Sequence, residues 1–581
     1  MAFEKKVQDF VHKLEEGGWA GRLKVALRLG AFGFVVYVWL FSNTGFKGLS
    51  HEKAIEQAEI SREIARGDGF STKMIRPAAL WLFEKNKGGF PVDRQPDIFH
   101  APLNPWINSW FIRLVKDSWM MTTKMFQYPA DKMIAGLGVA FLFLSILVNY
   151  FTARRLFDRR LALIAMNLSF LCERFWDFAM SGLPQMLMLL LFSCAVHVLV
   201  RAVEAQCAGR SPRRWLIAAG AFFGLLALAH GLTIWIFAGA LIFTTIYFRP
   251  FGLSAAIMLA VFAVVYGPWL VRNQRVCGTP LGLGWYAGAY GVTGHSESYI
   301  MRSMKVSVEE VTPRYFRRKV ESESLKQFDH LYALLGSIVV APVFFISLLH
   351  VFKRPETSAF RWCILSMWLA AFIGMAVFGF SEPEGLHAND LHVLFIPCLT
   401  FYGLALALVM WSRLEIRIPL AWAGFMSVIY VVSALPFTHQ MLEFAGPPTS
   451  RIAWPPYVPP FIAIMNTWTN EKEIIASDMP WAVAWYADRK SLWLPITVKD
   501  FLDLNDYGRL DGRIVGLYLT PITGNQSFVG EIKKGEYKEW AQFIMREVNA
   551  RDFPLKYVTA MPLENECVFY SDRDRWTNRE D

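Results

Sequence analysis

The chain has 581 residues, 54% hydrophobic, 15% aromatic and only 19% charged, with a net charge of +10. So little charge over so long a chain argues against a soluble enzyme, and 22 Trp with 47 Phe suit a bilayer core and its interfaces. The positive excess sits mostly in short loops between apolar runs, so it reads as topological and excludes nucleic acid as a partner.

In chain order, residues 1–22 read as a polar, charged helix. The apolar run 25–41 is followed by no small-residue cleavage site and is expected to remain as a signal anchor. Further apolar runs cover 134–153, 160–172, 185–200, 215–229, 232–248, 253–271, 331–352, 361–380, 391–411 and 418–435. That predicts about eleven spans for a hydrocarbon core of about 30 Å, with 160–172 marginal and 215–229 plus 232–248 readable as one broken pair. Every second loop is basic: Arg154, Arg155, Arg159 and Arg160; Arg201, Arg210, Arg213 and Arg214; Arg249; Lys353, Arg354 and Arg361; Arg413 and Arg417. The positive-inside rule puts these loops and the N-terminus in the cytoplasm, and 42–130, 272–330, 381–390 and everything after 436 on the other face.

The stretch 50–105 stands out on that outer face. It reads SHEKAIEQAEISREIARGDGF, then MIRP, then DIFHAPLNPW. Its first part predicts a helix with Glu52, Glu56, Glu59 and Glu63 on one side, held over a lipid-borne substrate. Other ionisable groups fall on the same face: Arg76, Asp97 and His100 in this loop, His230 in LALAHGL, Arg272 in GPWLVRNQRVCG, and Glu382, Glu384, His387, Asp390 and His392 in EPEGLHANDLH. Arginine pairs well with phosphate oxygens, a carboxylate can take a hydroxyl proton, and a Glu/His pair is a ligand set for a divalent metal. Plainer readings stand beside these. The glutamates read equally as a solvated helix face, His230 as a satisfied core histidine, Arg272 as an interface anchor, and Asn389 or Asp390 as a helix cap.

From Ser433 onward the composition changes. A Pro-rich segment, GPPTSRIAWPPYVPP, marks a boundary. Short apolar runs (IIAS, SLWLP, IVGLYLT, VFYS) then alternate with helices expected at MPWAVAWYADR, 498–507 and 535–548, which predicts a small α/β unit with a partly parallel sheet. It has no Gly-rich phosphate loop and no nucleophile elbow, so it is expected to dock or cover. The seven cysteines lack metal-ligand spacing, and nothing in the sequence supports a bridge between Cys277 and Cys567. The predicted fold class is mainly α: a polytopic membrane protein of about eleven helices over 1–436, with an outer-loop helix region at 47–130, and a C-terminal extramembrane α/β domain over 437–581.

An acidic helix after the first span, followed by RP and HAPLNPW, resembles the first outer loop of GT-C fold glycosyltransferases of the glycosyltransferase family 39 type. These include the protein O-mannosyltransferases and the lipid A aminoarabinose transferases. RRLFDRRLALIA, GLLALAHGL, GPWLVRN and SDMPWAVAWYADRKSLWLP look similar as well, so the resemblance runs through most of 25–500. It implies an inverting transfer of a sugar from a polyprenyl-phosphate donor to a hydroxyl acceptor (protein, lipid or glycan) at the outer face of a bacterial inner membrane. Glu52 or Glu56 would be the base, since family members often carry an acid pair where this chain has His51-Glu52, and others a single acid four residues on. Arg76, His100, His230 and Arg272, with Asp390 and His392 behind them, would contact the head group. No cofactor is implied with certainty beyond a candidate divalent metal. The alternative is a flippase or a non-catalytic scaffold that binds the same lipid-linked glycan.

Overall fold

The computed structural model describes residues 46, 48–87, 94–114, 121–122, 125, 127–292, 295–306, 311–380, 385–415, 419–445, 459–506, 510, 512–524, 535–546, 553–561 and 567–577. The expected signal anchor at 25–41, Glu382, Glu384, Arg417 and residues 446–458 of the Pro-rich segment lie outside these. Met1–Gly48 and Leu49–Asp581 form separate units, and everything below concerns the second.

The acidic stretch folds as helix α1 (Glu52–Arg66). His51 caps it by accepting from Lys53 N at 3.1 Å, and Gly67 closes it with a left-handed φ of 95°. The plainer reading of the glutamates as a solvated face fails for Glu56, Glu59 and Glu63, since every residue from Ala54 to Glu63 is buried. After it come β1 (Ser71–Thr72), β2 (Met74–Ile75), α2 (Pro77–Lys87), β3 (Gln95–Pro96) and α3 (Leu103–Ile112). Strands β1 and β3 pair antiparallel.

The membrane part follows: α4 (Pro129–Leu156), α5 (Arg159–Phe170), α6 (Glu173–Ser181), α7 (Gln185–Cys207), α8 (Arg213–Ala229), α9 (Ile234–Tyr247) and α10 (Leu253–Cys277). Past α11 (Glu297–Arg302) and α12 (Pro313–Asp329) lie α13 (Pro355–Phe378), α14 (His392–Arg413) and α15 (Pro419–Ala445). Among the described residues six helices (α4, α7, α10, α13, α14 and α15) are long and apolar enough to cross a bilayer, and Gly231–Tyr247 is a shorter apolar helix. Their outward positions remain apolar, as at Leu144, Leu147, Ile246, Val264 and Val428. This is a polytopic membrane fold.

Two expected spans take other forms. The 160–172 run is the 12-residue α5, too short to cross. The 331–352 run breaks into Leu331–Leu334 and Val343–Ser347, because Gly336 and Ser337 adopt positive φ (71° and 53°) and Pro342 starts a new turn. Glycines allow close helix approach elsewhere: a Cβ on Gly239 would strike the Ser366–Met367 backbone, and one on Gly403 the Val340 carbonyl.

The tail supplies β4 (Ile474–Ser477), β5 (Lys490–Trp493), α16 (Val498–Asp506), β6 (Ile514–Leu519), β7 (Tyr557–Ala560) and β8 (Val568–Ser571). The helix expected over 535–548 is instead a 3-10 turn, Lys538–Trp540, followed by one turn at Ala541–Ile544. The sheet order is β2-β5-β4-β6-β8-β7, parallel from β2 to β6 and antiparallel beyond. Its edge strand therefore comes from the first loop, and Ile75 and Leu80 join Trp540, Phe501 and Leu517 in one apolar core. Cys277 and Cys567 are free thiols.

Buried charges fasten α1 to this sheet unit. The Arg62 guanidinium donates to the carbonyls of Ala484 and Trp485 (both 2.7 Å), lies 4.7 Å over the Trp485 ring and pairs with Asp488 at 3.1 Å. Arg66 pairs with the same Asp488 at 2.8 Å, and Glu59 accepts from Thr72 Oγ1 and Lys73 N. On α4, Asp131 accepts from Trp485 Nε1 (2.7 Å) and the Tyr486 hydroxyl (2.9 Å). Asp488→Asn strips the buried Arg62 of its carboxylate. It should cost about 3–5 kcal/mol, read as a lowered denaturation midpoint of the purified protein.

Candidate functional site

One turn into α1, Glu56 Oε2 lies 2.7 Å from Arg76 Nη2 and 2.9 Å from His100 Nε2. Asp97 lies behind both, 3.2 Å from Arg76 Nη1 and 3.4 Å from His100 Nδ1, and its Oδ2 accepts from the backbone N–H of Phe99 and His100. All four side chains are buried. The contacts between Glu56 and its two cations are charge contacts rather than well-aligned hydrogen bonds. The antiparallel pairing of β1 with β3 brings 97–100 back over α1, and the β2–α2 junction presents Arg76.

The electrostatics follow from burial and pairing. Burial alone would push the Glu56 carboxyl up, but Arg76 and His100 outweigh it and hold the pKa below the ordinary value. Asp97 is likewise held well below the carboxylate range by His100 and Arg76. Burial opposes charge on His100, yet Asp97 and Glu56 raise its pKa. The cluster is therefore two carboxylates and two cations, closed on itself.

Glu52 stands apart from it. Its side chain is partly exposed and has no hydrogen-bond or ion-pair partner among the described residues. Burial, then the charge of Glu56, pushes its pKa up to about 7. Lys53 and three histidines lie at this end of α1, and burial lowers the pKa of His51 and His387 so that their rings are neutral at pH 7. Lys53 Nζ pairs with Glu297 at 2.8 Å, the His51 ring bonds the backbone of Leu386, and His230 lies within electrostatic reach of Lys53 and His100. His387 is in reach of His51, Lys53, His230 and Arg174. His230 keeps a partly exposed ring whose Nδ1 accepts from Leu232 N at 3.3 Å.

Three other sequence candidates are committed to the scaffold. Arg272 donates to the carbonyls of Asp97 (2.6 Å) and Phe70 (3.2 Å), and so ties the paired β1 and β3 to the end of α10. Asp390 is fully buried, pairs with Arg174 at 2.7 Å and accepts from His392 N. His392 is fully buried too, with Gln327 at 3.1 Å from Nε2 and Trp368 donating to Nδ1 at 3.2 Å. Lys53 and Glu297 were missed from the sequence; they lie 244 positions apart, and only the Lys inside an acidic helix hinted at a remote acid.

Among the described residues no three His, Cys, Asp or Glu side chains come together to hold a metal. The nearest Glu/His pair, Glu56 with His100, does not suit one. The two touch each other, and the raised pKa of His100 favours its protonated ring, which has no lone pair for a metal.

No protein-family model matches the chain, and no curated protein does. Solved structures do. ArnT from Cupriavidus metallidurans bound to undecaprenyl phosphate superposes with a TM-score of 0.53 at 14% identity, covering 93% of this chain and 98% of that one. The chain has the GT-C fold. The apo form of the same ArnT gives 0.54 at 13% identity. The Archaeoglobus fulgidus oligosaccharyltransferase in complex with Zn and sulfate gives 0.51 at 13% identity, over 90% of this chain and 70% of that one.

Two glutamates one turn apart should respond oppositely to loss of charge. Glu56→Gln breaks a buried pairing and should cost about 3–5 kcal/mol of stability. Glu52 has a folded pKa raised above its unfolded value, so its ionised form at pH 8 opposes folding. Glu52→Gln should therefore leave the thermal midpoint at pH 8 unchanged or higher, and the two variants compared by thermal denaturation check both signs.

Proposed function

We propose that the protein is a membrane glycosyltransferase that moves a sugar from a polyprenyl-phosphate donor to a hydroxyl acceptor at the outer bilayer face, with Glu52 as the base. The observation that carries this reading is the contrast along α1: Glu56 is neutralised by Arg76 and His100, while Glu52 is partly exposed, unpartnered and poised near neutrality. A base works best when its pKa lies near the working pH. The fold shared with ArnT and the archaeal oligosaccharyltransferase supports the class of reaction, and undecaprenyl phosphate on ArnT supports the class of donor.

In the proposed step the acceptor hydroxyl gives its proton to the Glu52 carboxylate as its oxygen bonds to the anomeric carbon. The bond from that carbon to the donor phosphate oxygen breaks on the opposite side, so the configuration inverts. The polyprenyl phosphate departs with the electron pair; Lys53, shared with Glu297, would meet its growing charge, and the His230 ring, whose Nδ1 accepts from Leu232 N, would offer Nε2–H. Arg76, His100 and Asp97 act through Glu56, fixing the first turn of α1 and so the Glu52 carboxylate. The alternation of basic loops supports an N-terminus in the cytoplasm and the sheet unit on the opposite face of the membrane.

The test is transfer by purified protein supplied with a polyprenyl-phosphate sugar and a hydroxyl acceptor. Glu52→Gln should lower kcat by about 10²–10⁴ and leave donor binding intact. In the unsubstituted protein kcat/KM should fall about tenfold per unit as pH drops below about 7, where Glu52 takes up its proton, and Glu52→Gln should lose that inflection. A fully active Glu52→Gln protein would remove Glu52 as the base.

A further inference from the structure

A second polar feature lies at the opposite end of the same helices. Asp131, bound to Trp485 and Tyr486, marks the site end of α4. Arg154 lies 23 residues further along, about 35 Å at 1.5 Å per residue, which matches the thickness of a bilayer core. There α4, α7 and α8 line an open cavity of about 620 Å³, within the range of roughly 300–1,000 Å³ usual for ligand pockets. Val148, Phe151, Val198 and Phe222 form an apolar wall, and Arg154 and Arg201 stand at its rim with Arg155.

The charges there do not cancel. Glu204 pairs with Arg155 at 3.0 Å and lies 3.6 Å from Arg201. Arg154 has no carboxylate in ion-pair reach among the described residues, so three arginines face one glutamate. Arg201 also lies 4.5 Å over the Trp215 ring, which fixes its guanidinium at the rim. Phe151 is 46% exposed, so the apolar wall continues to the lipid-facing surface of α4. A soluble anion would use only the arginines; the wall of valine and phenylalanine below them fits acyl chain.

We propose that this cavity binds one anionic phospholipid of the leaflet opposite Glu52, its phosphate held by Arg154 and Arg201 and an acyl chain along Val148, Phe151 and Phe222. Planar guanidinium groups suit a phosphodiester, and basic pockets between membrane helices select anionic head groups. The site is independent of the transfer chemistry.

Cys194 lines the same cavity and serves as reporter, and the exposed Cys207 further along α7 is the internal control. Full-length protein in phosphatidylcholine nanodiscs is treated with N-ethylmaleimide, with and without phosphatidylglycerol, and the labelled peptides are quantified. Phosphatidylglycerol should slow Cys194 labelling about tenfold or more while Cys207 is unaffected. Arg154→Gln with Arg201→Gln should abolish the protection. Equal labelling in the two lipids overturns the proposal, as does protection that survives the double substitution. Protection by inorganic phosphate alone overturns it in favour of a soluble-anion site. The two-lipid comparison on the unsubstituted protein stands even if the double variant fails to fold.

Discussion

A helix carrying four glutamates and two arginines can be buried only if its charges meet opposite charges or hydrogen-bond donors, because each stranded ion in a dry interior costs several kcal/mol. Helix α1 meets that condition with partners from three places. Glu56 turns to Arg76 and His100, Glu59 to the β1 end, and Arg62 to Asp488 and the carbonyls before it. These pairings seat α1 between the membrane helices and the sheet. Glu52, in the first turn, falls outside the pattern, and its want of a partner is what sets it apart chemically.

The same logic explains why the candidate Arg272, like two further arginines, is not free for a ligand. Arg272, Arg174 and Arg302 are spent on backbone carbonyls or on a buried acid: Arg272 on Asp97 and Phe70, Arg174 on Asp390, Arg302 on Leu494 and Pro495. Each holds a loop onto a helix end or onto the sheet. A guanidinium with several carbonyl acceptors is a structural rivet, and the loops it pins are those that bring His100, His387 and Glu297 toward the start of α1.

Much of the fold was legible because hydropathy reports spans directly. The helices at Gln185–Cys207, Leu253–Cys277 and His392–Arg413 follow from apolar length alone, and the strands IIAS, IVGLYL and VFYS from β-branched and aromatic runs. Apolar length could not reveal that Gly336 and Ser337 break the 331–352 run, since that break depends on backbone conformation. Within the site, Glu52, Glu56, Arg76 and His100 could be singled out by residue type and order. Which glutamate is neutralised could not, because it depends on the β1–β3 pairing that brings 97–100 back over α1. Similarly, His392 and Asp390 carry the right chemistry, but their neighbours Gln327, Trp368 and Arg174 absorb it. Two-residue β2 gives no periodic signal, so its place at the sheet edge was invisible.

That edge strand has a bearing on biosynthesis. Lys73, next to β2, and its partner Asp488 are separated by 415 positions, so at about 5–20 residues per second roughly 20–80 s pass between their emergence from the ribosome. Through that interval α1 carries Arg62 and Arg66 without their acid and β2 without a neighbour. The nascent loop that carries α1 and β2 has to wait, hydrated or chaperoned, until most of the polypeptide has been made. Ribosome stalling or premature termination between α15 and β5 would leave the described membrane helices complete and β2 still without its parallel neighbour.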